Sequence, residues 1–472
     1  MNAIAEINDK INSFVWGPIM LTLLVGAGIY YSLRLGLFQV SKIPLWVSST
    51  FGRLLHRQEV GEGAVTPFQA LTTALAATVG TGNMVGVATA IVSGGPGAVF
   101  WMWVSAFFGM MTKYAEIVLS VHFRRRNDKG EWVGGPMHYI SAGLGKGFTP
   151  LAYIFAAFGS LAAFGIGNMT QINSIATSTE AMLVTLGALP EAAPDGGFSA
   201  FKLGVGVVLA IVAALVIIGG LKRIASVTEK LVPFMSVLYI IGGVSVLVIN
   251  RHALAGAFSS IWQNAFTLRS AAGGALGYTM MGAMRFGVAR GVFSNEAGLG
   301  SAPIAHAAAH TDSPVKQGMW GIFEVFVDTL VICTLTALVV LSSGVFTGPG
   351  SISGTPLTSA AFSSAMGAMG SVFVALLITL FAFSTVLSWS LYGQRCFEFL
   401  TGGKGIQGYR VIFVLCIVVA SIMQLDLVWA IADTLNGLMA IPNLVALVAL
   451  SGVVIRLTKE FLADRKQQQP GE

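Results

Sequence analysis

Residues 67–104 read PFQALTTALAATVGTGNMVGVATAIVSGGPGAVFWMWV. The stretch is long and apolar enough for a membrane, yet Gly80-Thr81-Gly82-Asn83 interrupts it. A helix that only had to span lipid would not gather two glycines, a threonine and an asparagine at mid-depth. Each glycine costs roughly 1 kcal/mol of helix stability relative to alanine. Within a bilayer, freed backbone groups persist only where protein or a water-filled cavity surrounds them. A helix broken near the midplane exposes half-helix ends. Such ends hold an anionic substrate group on one side and a coupling cation on the other, which is the logic of a transporter.

Working outward, the composition agrees. Hydrophobic residues make up 55% of the 472 and charged residues 10%, against about 25% charged in ordinary soluble domains. An integral membrane protein with its spans in a single domain follows. The net charge of +6 is no nucleic-acid signal, because the basic residues sit at helix ends, where positive-inside topology puts them. Cys333, Cys396 and Cys416 lie in or beside apolar segments without metal spacing, and no disulfide is assigned. Residues 14–35 do not read as a signal peptide. The leader MNAIAEINDKINS is not net positive, and the segment runs into Arg34 without a clear cleavage site.

Hydropathy predicts an all-α polytopic protein with about eleven transmembrane helices. They cover 14–35, 67–93, 97–121, 148–182, 202–221, 229–250, 272–309, 316–346, 357–393, 409–431 and 434–458. Residues 44–56 read as an interfacial helix, with Leu45, Trp46, Phe51 and Leu54 among polar and basic residues. Arginine and lysine concentrate in alternate loops: Arg34 to Arg57, Arg124 to Lys129, Lys222 to Lys230, Lys316, Arg395 with Lys404, and the tail from Arg456. The intervening loops carry Glu191 and Asp195, or Asp426 and Asp433; only Arg251 and Arg269 run against the trend. The bias places the N-terminus outside and the C-terminus in the cytoplasm of a cell (inner) membrane protein. With the first span and the interfacial segment (1–66) set aside, ten spans divide into repeats over 67–250 and 272–458. A five-span unit repeated in tandem must be inverted. Each half opens on a glycine-interrupted segment, the second being FGVARGVFSNEAGLG at 286–300, and paired breaks at matching positions point to a binding site.

Three motifs carry a resemblance. Gly94-Gly95-Pro96-Gly97-Ala98-Val99-Phe100-Trp101-Met102-Trp103-Val104 resembles the signature of the alanine or glycine:cation symporters, the sodium:alanine symporter family. So do Gly134-Gly135-Pro136-Met137 and the run Gly291-Val292-Phe293-Ser294-Asn295-Glu296-Ala297-Gly298-Leu299-Gly300-Ser301-Ala302-Pro303. The likeness covers nearly the whole chain. It implies a leucine-transporter-like fold, a five-plus-five inverted repeat with two broken helices. It also implies uptake of small neutral amino acids, chiefly alanine and glycine and in some members glutamine. The coupling is to sodium, less often to protons.

The residues divide by chemistry. Amides of Thr81, Gly82 and Asn83 at the start of the second half-helix offer free N–H donors and a positive dipole end to a carboxylate. The resemblance assigns the Thr81 and Gly82 amides to the substrate carboxylate. It likewise assigns carbonyls of Ala76 and Val79 to a co-transported sodium ion, with the hydroxyls of Ser384 and Thr385 in LLITLFAFSTVLSW opposite them. Such hydroxyls often bond only to their own helix. Gln171, Asn168 and Asn173 are amides in lipid and need partners: another helix, or for Gln171 the substrate. Phe286 and Trp389 are candidate pocket walls or gates, with packing as the plain alternative. Lys113 and Glu116 are spaced to pair on one helix, and Arg285 or Arg290 to pair with Glu324 or Asp328, in structural or gating roles. A proton-coupled protein would use Glu324 or Asp328 as carrier. A channel would favour pore-lining symmetry between subunits, and an enzyme an acid–base or metal cluster. Neither pattern occurs, and with the resemblance the expectation is a non-enzymatic symporter for a small neutral amino acid. It would need the lipid bilayer and no nucleic acid, and a monomer would suffice.

Overall fold

The computed structural model describes residues 2–50, 52, 61, 63–190, 199–266, 279–423 and 426–468. Helices account for almost all of them. The sheet they contain is a two-stranded antiparallel hairpin pairing Arg125 with Val133 and Arg126 with Trp132. In chain order the helices that matter are α1 Asn2–Val15, α2 Pro18–Arg34, α3 Pro67–Thr78, α4 Val87–Gly94, α5 Gly97–His122, α6 Thr149–Phe164, α7 Thr170–Thr185, α8 Ala200–Ile217 and α9 Gly220–Ile249. Then come α10 Met280–Asn295, α11 Ala302–His306, α12 Pro314–Val325, α13 Thr334–Ser342, α14 Ala368–Thr401, α15 Ile406–Ile422, α16 Asp426–Ala449 and α17 Ser451–Gln468.

Among the described residues, eight continuous helices are long and apolar enough to cross a membrane. The pair α3–α4, bent by 47°, makes a ninth span, and α15 is a shorter apolar helix. The start of α3 is encoded locally. Thr66 accepts from the Gln69 amide at 3.0 Å while the Gln69 side chain accepts from the Thr66 amide at 3.0 Å, and Pro67 takes the first helical position. The second break separates α10 from α11, with Glu296 left-handed at its start. The opening of the seventh predicted span, from residue 272, lies outside the described residues. A wide π-type turn over Phe326–Cys333 joins α12 to α13.

Three hydropathy boundaries shift. The ninth predicted span divides at Gly367 into Thr355–Met366 and α14. The tenth and eleventh become α15 and α16, so residues 426–431 belong to the later helix and Asp433 sits inside it rather than in a loop. The chain then closes with α17, whose Arg456, Lys459, Glu460, Asp464, Arg465 and Lys466 make it too polar to span. Leu45 and Trp46, read as the apolar side of an interfacial helix, are buried; Trp46 packs on Phe326 and donates to the Gln39 carbonyl at 3.1 Å. Residues 51 and 53–56 of that segment are not described.

At the centre runs α5, packed on α10 and α12. Its charges leave their own helix. Lys113 reaches Glu324 on α12 at 3.3 Å, and Glu324 also meets His306 of α11 at 3.1 Å; all three are fully buried. Glu116 accepts from the Gly300 amide at 3.1 Å and from Asn443. The expected Lys113–Glu116 pairing is displaced because α5 is enclosed, so each side chain turns to the neighbour it faces.

Candidate substrate and cation site

The first break is tied from both sides. Past Val79, whose amide still bonds to the Leu75 carbonyl at 2.7 Å, the Gly80 amide donates to Asn83 Oδ1 at 2.8 Å. Asn83 Nδ2 donates to Asp328 Oδ1 at 2.6 Å in the π-type turn. The Asn83 carbonyl accepts from Thr336 at 2.7 Å. Asn83 is thus fully occupied in holding the break open. Thr81 points elsewhere, donating to Gln171 Oε1 at 3.1 Å, and Gln171 Nε2 donates to the Ile166 carbonyl at 2.9 Å. Two residues distant in sequence and singled out for substrate contact therefore meet.

Opposite the same break lies α14. Ser384 and Thr385 both direct their hydroxyls to the Ala76 carbonyl, at 3.2 and 3.0 Å, while also bonding to Phe381 in their own helix. One turn on, Ser388 bonds to the Thr73 carbonyl. Gly80 passes so near that a Cβ there would lie 2.7 Å from Thr385 Oγ1. Hard oxygens from the end of α3 and from α14 are concentrated here, the donor set an alkali cation prefers. Among the described residues, no group of three or more His, Cys, Asp or Glu offers a rival metal site.

A cavity of about 370 Å³ opens over the break. Thr81, Gly82, Val85 and Thr89 form one wall, Arg290 and Phe293 of α10 a second, and Trp429 and Asp433 of α16 a third. Phe286 stands apart, against Gly94 at the C-terminal end of α4; the phenylalanine that faces the cavity is Phe293, two turns later on α10. Trp389 is buried behind the site, packed on Gly167 and donating to Glu296 at 3.2 Å. Asn168 and Asn173 bond instead to carbonyls of Phe413, at 2.7 Å, and Met423, at 2.9 Å, linking helices.

The two breaks meet at Asp328. Ser294, at the end of α10, donates to both its carboxylate oxygens, at 3.2 and 3.0 Å, and Thr329 adds a bond at 2.8 Å. Sequence reasoning placed Asp328 with the arginines, but its partners here are neutral. The polar residues of SNE in 286–300 were the available signal for Ser294. Nothing local marked Asp433, because its partner helices are remote in sequence.

This arrangement has known counterparts. A match to the sodium:alanine symporter family spans residues 1–472. The chain belongs to the sodium:alanine symporter family. As a member of the sodium:alanine symporters it is a multi-pass transporter rather than an enzyme, and its activity is cation-coupled amino-acid symport. It is 49% identical over 465 residues to the "Sodium/alanine symporter AgcS" of Methanococcus maripaludis, covering 98% of each chain. To the "Amino-acid carrier protein AlsT" of Bacillus subtilis it is 37% identical over 464 residues, covering 98% of this chain and 93% of that one. Among solved structures, MhsT in complex with L-phenylalanine superposes with a TM-score of 0.57 at 13% identity, over 84% of this chain and 99% of that one. That likeness establishes the leucine-transporter-like fold of this sodium:alanine symporter family member.

Proposed function

We propose that this protein couples inward sodium movement to uphill uptake of alanine, glycine or a similar small neutral amino acid by alternating access. The observation that carries the reading is the convergence of Ser384 and Thr385 on the Ala76 carbonyl, one turn before the break that opens the Thr81–Gly82 cavity. Sodium is held by the Ala76 and Val79 carbonyls and the two hydroxyls. The substrate carboxylate lies on the Thr81 and Gly82 amides, Gln171 orients Thr81, Asn83 keeps the break in shape, and Trp389 backs the site. The repeats run over 67–250 and 272–458 in the inner membrane, with the N-terminus outside. The energetics are ample: about 2.3 kcal/mol per charge at 100 mV and about 1.4 kcal/mol for a tenfold sodium gradient allow roughly five hundredfold accumulation per sodium.

Radiolabelled alanine uptake into vesicles tests this. An imposed sodium gradient drives accumulation above equilibrium, and abolishing the gradient leaves only equilibration. Accumulation unaffected by sodium would refute the reading. The burial of Asp328 among neutral donors from both breaks favours one second reading, with Asp328 carrying a proton. Uptake driven by a pH gradient without sodium, and lost in Asp328→Asn, would select it.

A further inference from the structure

The outer face of the N-terminal helix α1 is mixed, with the exposed Glu6–Lys10 ion pair beside apolar side chains. Ile7, 59% exposed, and Phe14 face outward, whereas Asn8, 7% exposed, faces the protein four residues before Asn12. An amide turned toward the protein needs a partner there. The partner helix is α16. The Asn12 amide donates both its hydrogens there, to Asp433 Oδ2 at 3.0 Å and to Thr434 Oγ1 at 3.0 Å. Trp16 Nε1 donates to the Asp433 carbonyl at 3.2 Å. The seat is close: a Cβ on Gly437 would collide with Val15 and reach Trp16.

Asp433 therefore has two surroundings. One carboxylate oxygen is held by α1, and the residue lines the cavity that Arg290 lines from α10. No ion pair within 4.0 Å joins Asp433 to Arg290 among the described residues, so the mouth between α10 and α16 stays open. Opposite charges on two walls of a partly buried cavity attract more strongly than in water. They pair well only if each approaches in a fixed geometry, and a free aspartate would sample several rotamers.

We propose that α1 is a positioning element for closure of the cavity. Asn12 keeps the Asp433 carboxylate aimed across the mouth, and Arg290 closes on it once substrate lies over Thr81 and Gly82. Asn12 touches neither substrate nor cation; it acts through Asp433. The proposal rests on the reading of the cavity as the substrate path.

The test uses the full chain in proteoliposomes. A reporter cysteine replaces Thr89 on the cavity wall, with Cys416→Ser removing the one native thiol that is not buried. A membrane-impermeant maleimide is applied with and without sodium and alanine. With Asn12 present, substrate protects the reporter. Asn12→Ala reduces that protection about tenfold, the order of one hydrogen bond to a charged group. In the chain without the reporter it raises the alanine concentration for half-maximal uptake by a similar factor. Asn12→Asp, the same shape with a charge facing Asp433, does worse than alanine, and adding Asp433→Asn to it relieves the repulsion without restoring protection, because the carboxylate that Arg290 closes on is gone. A packing role predicts the opposite order, with Asn12→Asp near wild type. Wild-type protection and wild-type half-saturation in Asn12→Ala would overturn the proposal, and Asn12→Ala decides alone if Asn12→Asp fails to fold. Absence of sodium-dependent alanine uptake by the native chain would instead defeat the functional reading beneath it.

Discussion

Thr385 shows how one side chain serves fold and site together. Its hydroxyl bonds to Phe381 in its own helix and to Ala76 across the interface, and its lone pairs stay available to a cation. Thr385→Ala removes one oxygen and leaves α14 helical. The sodium concentration for half-maximal alanine uptake rises about tenfold; a sodium titration of uptake checks it, and an unchanged curve would move the cation elsewhere. At Gly82 the space, not the conformation, matters. A Cβ there meets Phe293 and Ser294 at an ordinary 3.5 Å, so Gly82→Ala folds. Gly82→Leu projects into the cavity and favours re-forming the helix. Purified, monodisperse Gly82→Leu loses alanine binding, while sodium binding at the neighbouring carbonyls weakens less. If the glycine were only a packing device, the mutant would fold poorly and what survived would bind normally.

At the scale of elements, the hairpin over residues 125–133 is latched to the end of α14. Arg395 holds Glu131 at 2.6 Å and Glu398 at 2.7 Å, and Asn127 bonds to Glu398 at 2.7 Å. Glu131 lies outside the membrane-spanning segments. Burial pushes its carboxyl up, but the Arg395 charge and hydrogen bond outweigh this and hold it below the usual carboxylate range. A depressed carboxyl contributes stability that is present above its unfolded value and is lost as pH falls through the folded one. Glu131→Gln therefore lowers Tm by about 1–2 °C near neutral pH, and the gap to wild type narrows as the medium is acidified below the ordinary carboxylate value. Melting curves of the two proteins at several pH values decide it; a gap independent of pH would show that the charge contributes nothing. Elements also mark where sequence reading stops. The break at Gly80–Asn83 was legible because glycine and asparagine are conspicuous in an apolar helix. The position of Asp433 was not, because residues 409–458 are apolar on average and one aspartate looks the same in a loop as on a helix facing α1.

For the whole molecule, the all-helical class, the two breaks and the family were legible, because lipid forces apolar length and the motifs are dense. The meeting of Thr81 with Gln171, and of Ser294 with Asp328, was not, since each needs three-dimensional proximity that spacing does not encode. The exposure of Phe293 in place of Phe286 follows from two turns of helix that hydropathy cannot phase. Orientation is open to a direct check. A cysteine at Lys129, in the hairpin, reacts only with reagents on the cytoplasmic side, and one at Asp195, outside the described residues, only from the opposite side; the reverse pattern would invert the topology while keeping the fold. The inward-facing asparagines of α1 also carry a consequence for how the chain is made. Asn12 and its acceptor Asp433 are 421 residues apart. At roughly 5–20 residues per second of synthesis, α1 leaves the ribosome roughly 20–80 s before α16 exists to receive it. Through that interval the nascent protein carries uncovered amides in or beside the bilayer, and the last long apolar helix to emerge is the one that covers them.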